Sequence, residues 1–165
     1  MGKLLSSRSV QTLIEPLLGK LCCRKQVGYR ESLSIGFGSK IPHQNRLKSR
    51  DDYYGEWEIG TYNSAWRVIH RGKILCGSHD IVDSIKEHDA AFNRIELRRL
   101  VSVQQLTDMD IRLVFDLGIT IDFLATTRDE DEWFHIFCHQ GKYIEFTVGK
   151  GCTIGPSNTP WHNKM

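Results

Sequence analysis

The chain repeats itself, and this constrains its fold more than any other feature. Leu33, Ile35 and Phe37 alternate with Ser34 and Gly36, and Ile111, Leu113 and Phe115 alternate with Arg112 and Val114, at a constant offset of 78. Such alternation places every second side chain on one face of a strand. Upstream of each run lies a leucine pair, Leu18 and Leu21 against Leu97 and Leu100, at an offset of 79. Downstream lies a second alternating run, Trp57 and Ile59 against Ile121 and Phe123, at an offset of 64. The missing fourteen residues correspond to one loop, 39–54, which the second copy replaces with a tight Leu117-Gly118 turn. Trp66-Arg67-Val68-Ile69 against Trp133-Phe134-His135-Ile136, and Gly72-Lys73-Ile74-Leu75 against Gly141-Lys142-Tyr143-Ile144, complete five landmarks in one order. Two copies are too few for a solenoid. The expected fold class is therefore α+β, mainly β: two pseudo-repeated antiparallel meanders, each preceded by a short helix, arranged as a pseudo-twofold pair of sheets. Residues 1–165 are read as a single domain with the pseudo-repeat at 14–77 and 93–147, and 151–165 as an irregular tail that Trp161 could pin.

Helical content is expected to be small. Val10, Leu13, Ile14, Leu17, Leu18 and Leu21 form an apolar stripe of helical period. Pro16 interrupts it, because proline lacks the N–H donor and disfavours helical geometry at Glu15, which predicts two short pieces or a helix starting at Pro16. In the second copy, His79 to Leu97 is the matching stretch, with Ile81, Ile85, Ala91, Phe92 and Ile95 as expected buried positions and Ser78 or Asp80 as the N-cap.

At 165 residues, with 40% hydrophobic and 25% charged residues, the chain can bury a core that needs no disulfide or structural metal. No apolar run approaches the roughly 20 residues that cross a bilayer, and no signal-peptide apolar block is evident. The five cysteines at 22, 23, 76, 138 and 152 are odd in number and include no C-x-x-C pair, which points to a reduced, cytoplasmic protein. Met1-Gly2-x-x-x-Ser6 matches the myristoylation pattern and is read as a chance match. Charge is uneven: residues 1–50 hold ten Lys or Arg against two Glu, whereas 51–165 hold twelve against eighteen acids. Within 108–132 there are eight acids (Asp108, Asp110, Asp116, Asp122, Asp129, Glu130, Asp131, Glu132) and two bases (Arg112, Arg128), so a basic partner could dock there. The basic third could meet phosphate through Arg24, Lys25 and Arg30 or through Arg46, Lys48 and Arg50.

Each cluster that suggests chemistry also has a structural explanation. His135-x-x-Cys138-His139 has the soft and imidazole donors that suit zinc, but no second cluster completes four ligands. Cys76 and His79 near Asp80 suggest a Cys-His nucleophile, yet a buried thiol and a turn into a helix explain the same residues. Gly36-x-Gly38 and Gly149-x-Gly151 fit no phosphate-loop spacing and read as hairpin ends or bulges. Glu56 and Glu58 share a strand face, as a glycosidase pair would, but also as flanking residues of a meander would. Arg67 is expected to form a buried pair with Asp80, as architecture. No catalytic residue, metal or cofactor is predicted.

Five of these segments carry a family resemblance: Leu17-x-Gly19, Leu33-Ser34-Ile35-Gly36-Phe37-Gly38, Trp66-Arg67, Gly72-Lys73-Ile74-Leu75-Cys76-Gly77-Ser78-His79-Asp80 and Asp131-Glu132-Trp133-Phe134-His135-Ile136-Phe137. Together they span roughly 14–146 and resemble small bacterial proteins that look like immunity proteins of polymorphic toxin systems, including contact-dependent growth inhibition. The resemblance implies a cytoplasmic, non-enzymatic toxin inhibitor. Such a protein would bind one cognate toxin C-terminal domain, often a nuclease, with tight one-to-one stoichiometry. The chain departs from that pattern in its basic N-terminal third and the loop 39–54. Asp108, Asp110, Asp129, Glu130, Asp131 and Glu132 are the expected docking rim, with Tyr53, Tyr54 or Trp161 as anchors. No membrane and no direct nucleic-acid contact is expected, and a homodimer is left open. The competing readings are a β-sheet nucleic-acid binder using the basic third and an enzyme with an unrecognised site.

Overall fold

The computed structural model describes residues 8–43, 51–62 and 64–156. The first described element is α1 (Arg8–Ile14), which passes at Pro16 into a single 3-10 turn, Glu15–Leu17. This is the two-piece outcome that the proline predicts. Val10, Ile14 and Leu17 are buried, whereas Leu18 and Leu21 beyond the proline are exposed, because the backbone turns extended at Leu18 and the helical stripe ends there.

Eleven strands follow among the described residues. The first copy supplies β1 (Cys22–Val27), β2 (Leu33–Pro42), β3 (Tyr53–Thr61), β4 (Ser64–His70) and β5 (Lys73–Gly77). After α2 (Ile85–Asn93), the second supplies β6 (Leu100–Gln105), β7 (Ile111–Phe115), β8 (Ile119–Ala125), β9 (Glu132–Cys138) and β10 (Lys142–Thr147), with β11 (Gly151–Pro156) appended. They form a six-stranded sheet ordered β1-β2-β3-β9-β10-β11 and a five-stranded sheet ordered β5-β4-β8-β7-β6, with every pairing antiparallel.

These orders show that the copies interlock. The first three strands of each copy stay together, while its last hairpin crosses to the sheet of the other: β4–β5 extend β6–β8, and β9–β10 extend β1–β3. Neither sheet is therefore a meander from one copy alone. The copies also meet at Leu21 and Arg99, which form an isolated antiparallel bridge, again 78 residues apart. Equivalent hydrogen bonds flank this bridge: Gly38 N donates to Leu21 O at 2.9 Å, and Asp116 N donates to Arg99 O at 3.0 Å. The upstream correspondence thus continues at an offset of 78 rather than 79, consistent with Leu97 and Leu100 being buried while Leu18 and Leu21 are not.

Between the sheets lies the core. Phe37 stacks on Phe115 with centroids 6.1 Å apart, and Phe134 packs on both Phe123 and Phe146 at 5.1 Å. Trp66 packs against Phe92 of α2 at 5.7 Å.

Several expectations are corrected. The helix in the second copy is shorter than His79–Leu97, because its N-cap is Ser84, whose hydroxyl accepts from Glu87 N at 3.1 Å. Ile81 precedes it and is fully exposed, and Ile85 is also exposed, whereas Phe92 is buried and Ile95 half-buried. The tail does not begin as an irregular segment: β11 pairs along its whole length with β10, from Lys142↔Pro156 to Thr147↔Gly151. Residues 39–42 and 53–54 of the presumed loop 39–54 belong to β2 and β3, whose pairing has a bulge between Phe37 and Lys40. Arg46, Lys48, Arg50 and Trp161 lie outside the described residues.

Candidate functional site

The strand register gathers several loops at one end of the five-stranded sheet. Ser64 at the start of β4 lies opposite Ala125 at the end of β8, and Gln105 at the end of β6 lies opposite Ile111 at the start of β7. The 126–131 connection, the Thr107–Asp110 turn and the segment leaving Gly77 therefore emerge together. Between the 126–131 connection, the segment leaving Gly77 and the Arg30-Glu31 turn is a groove of about 700 Å³, whose charged lining is Arg30, Glu31, Asp80, Asp129 and Asp131. Four carboxylates face one guanidinium, so the groove favours a cationic partner.

The predicted docking rim divides in this geometry. Asp108, Asp129 and Asp131 are exposed, and the last two line the groove. Glu130 is exposed but pairs with Lys150 at 3.1 Å. Asp110 ties the turn down, its carboxylate accepting from Ala125 N at 3.1 Å and from Thr107 Oγ1 at 2.9 Å. Glu132 is a correction. As the first residue of β9 it is only 3% exposed, and it accepts a hydrogen bond from Tyr143 while lying 3.2 Å from His135 Nδ1. The other two acids of the run are also dispersed, with Asp116 in the turn at the opposite end of β7 and Asp122 fully buried. Asp80 and Glu31 join the groove from distant parts of the sequence. Their sequence signal is weak, because each is a lone acid beside a turn.

The two described aromatic anchors, Tyr53 and Tyr54, are elsewhere. Tyr53 and Tyr54 begin β3, whereas the acidic end lies beyond its last residues. Tyr53 is half-buried, its hydroxyl donating to Cys23 O at 3.0 Å under Lys40, so it holds β3 against β1. Tyr54 stands beside His43, with ring centroids 5.2 Å apart, at a second concavity.

That concavity, about 630 Å³, lies on the outer face of the six-stranded sheet. Arg24 grips Glu58 there with two nitrogens, at 3.0 and 3.2 Å, and also bonds Gln26 and Ser34. Burial opposes this guanidinium's charge, yet the Glu58 hydrogen bond and charge outweigh it and hold Arg24 above the ordinary arginine value. Lys25 reaches the carbonyls of Asn93 and Ile95. Two of the three cations in the first predicted phosphate patch are thus engaged within the fold. The cavity floor depends on glycines opposite large residues. A Cβ at Gly60, the register partner of His135, would lie 2.5 Å from His135 Nε2. One at Gly36, the partner of Glu58, would lie 2.8 Å from Glu58 Oε1. Burial, then the hydrogen bond to Glu132, pushes the Tyr143 phenol far above its ordinary value, so it stays protonated and donates.

The other sequence candidates resolve as follows. Cys138 is buried with its Sγ toward Ile136 O, and burial pushes its thiol up to about 12, while His139 is exposed beside Glu56 at 3.8 Å. Glu56 and Glu58 each have a cation, Lys20 at 2.8 Å and Arg24. Arg67 pairs with Asp122 at 3.0 Å rather than with Asp80, because the sheet register sets Asp122 directly beside it and Arg112 on the other side. Asp80 instead accepts from Gly77 N at 3.0 Å. His79 is exposed with Nδ1 near Ser78 Oγ, and the imidazole that approaches Cys76 and Asp80 is that of His88. Among the described residues no helix is long and apolar enough to cross a membrane. The chain matches no protein-family model, no curated protein and no solved structure.

Proposed function

We propose that this chain is an immunity protein that neutralises a cognate toxin domain, a nuclease by preference, through one-to-one binding in the bacterial cytoplasm. The supporting observation is the groove at the end of the five-stranded sheet, where Glu31, Asp80, Asp129 and Asp131 from three separate segments face one arginine. Such a surface steers and orients a basic protein, and nucleases carry basic faces because they bind phosphate. Docking there leaves the core and the buried charge networks untouched. The test is co-expression with the toxin C-terminal domain encoded immediately upstream, followed by calorimetry on the purified pair. Growth rescue with a nanomolar one-to-one complex supports the reading; neither rescue nor heat overturns it for that partner.

The cavity on the six-stranded sheet favours a second reading, an enzyme, because it lines a ligand-sized space with His135, Tyr62, Thr61 and the Arg24–Glu58 pair. Two variants separate the readings in the growth assay. Rescue lost with Asp129→Lys/Asp131→Lys but kept with His135→Gln supports docking. Rescue lost with His135→Gln while the complex still forms supports chemistry in the cavity.

A further inference from the structure

At the edge of the groove, sharing Asp80 with it, Cys76, Asp80 and His88 converge. One sulfur, one carboxylate oxygen and one imidazole nitrogen lie within 4.8 Å of one another. Three segments build this cluster: the end of β5, the turn after it, and the first turn of α2. Cys76 and His88 are each 1% exposed, whereas Asp80 is exposed and lines the groove. Gly77 holds the other two groups in place. Its N–H donates to Asp80 Oδ2 at 3.0 Å, and its carbonyl lies 2.8 Å from His88 Nε2. A carbonyl only accepts, so Nε2 carries the proton and Nδ1 keeps a lone pair. Imidazole ligands to metals commonly have their other nitrogen fixed by a backbone carbonyl in this way. Trp66 stacks on the ring at 5.4 Å and fixes its plane.

Hydrogen bonding alone accounts for Asp80 and Gly77, since an aspartate closing a three-residue turn is an ordinary device. The Cys76 thiol hydrogen-bonds Asp80 and the His88 imidazole hydrogen-bonds the Gly77 carbonyl, and these contacts draw the sulfur and the ring to one point. Apolar side chains would fill those places without burying polar groups. Sulfur, nitrogen and a single carboxylate are a donor set for a borderline ion and a poor one for magnesium or calcium, which require several oxygens. We propose that Cys76, Asp80 and His88 form a binding site for a divalent transition ion of the zinc class, with these three side chains as ligands and a fourth position open to the groove. On binding, the Cys76 thiol gives up its proton to solvent and the sulfur–metal bond takes its place, with no change of oxidation state.

The experiment is titration of the full, chelator-treated chain with Co²⁺, followed by displacement with Zn²⁺. The expected result is one equivalent bound, with tetrahedral visible bands and a sulfur-to-cobalt charge-transfer band that Zn²⁺ abolishes. Cys76→Ser should remove the charge-transfer band, and Asp80→Asn, an exposed change that leaves the core intact, should weaken Co²⁺ binding at least tenfold. His79→Ala should leave the spectrum unchanged. Absence of a thiolate band at one equivalent in the unaltered chain overturns the proposal. A band that survives Cys76→Ser also overturns it, by assigning the ion to another cysteine.

Discussion

Phe37 and Phe115, equivalent residues of the two halves of the chain, stack on each other across the core with ring centroids 6.1 Å apart and planes 17° apart. Leu21 and Arg99, also 78 residues apart, form an isolated antiparallel bridge. Each phenylalanine packs against its own counterpart, so neither half has a complete core alone.

Truncating either ring should therefore affect both halves. Phe37→Ala and Phe115→Ala are each expected to cost about 3–5 kcal/mol in denaturant unfolding. The double variant should fall short of the sum by about 0.5–1.5 kcal/mol, the extra value of an aromatic pair. Strict additivity would show that the stack contributes only its buried area.

Asp122 lies at the centre of the five-stranded sheet, fully buried between Arg67 at 3.0 Å and Arg112 at 2.6 Å. Burial by itself raises its carboxyl, but the hydrogen bonds from Arg112 and Arg67 outweigh burial and hold it below the ordinary carboxylate value. A group whose folded value is depressed stabilises the protein above its unfolded pKa, about 3.9 for aspartate, and loses that contribution as pH falls through the lower folded value. Stability should thus decline on acidification below about pH 4, and Asp122→Asn should flatten that slope. At neutral pH the variant should lose roughly 2–4 kcal/mol, less than a fully enclosed pair because both guanidinium groups reach solvent. Stability curves measured between pH 2 and 7 for both proteins would check this.

Gly60 exists where it does because His135 lies over it. Gly60→Ala should destabilise the chain by about 1–3 kcal/mol through overpacking, and His135→Ala in the same molecule should restore part of that loss by vacating the space. If the double variant is as unstable as the sum of the singles, the clash with the neighbouring strand dominates instead.

If the groove docks a basic toxin domain, charge reversal should act on encounter. Asp129→Lys/Asp131→Lys is expected to slow association about tenfold or more at low salt and to flatten its dependence on ionic strength. Stopped-flow mixing at two salt concentrations would measure both effects. An unchanged on-rate removes these residues from the interface.

The repeat, the strands carrying it and their inward residues are legible in the chain because alternation records burial directly. Leu33, Ile35 and Phe37 are buried, as are Ile111, Leu113 and Phe115. The break at Pro16 was equally readable, since it follows from a missing donor. Glu132 shows where such reading stops. It sits in a run of acids, but strand β9 begins at that residue, and Tyr143 and His135 hold it inside, which depends on a pairing with β10. Asp122 looks like one more acid until β4 and β7 place an arginine on each side of it. The exchange of hairpins between the sheets has the same origin. Periodicity states which side of a strand faces inward, while the choice of neighbour is made by contacts between segments distant in sequence, such as Val68 with Ile121 and Ile59 with Ile136. Local propensity and burial are properties of a segment and survive in its letters. Pairing, the partners of buried charges and the gathering of Glu31, Asp80, Asp129 and Asp131 at one end arise only when distant segments meet.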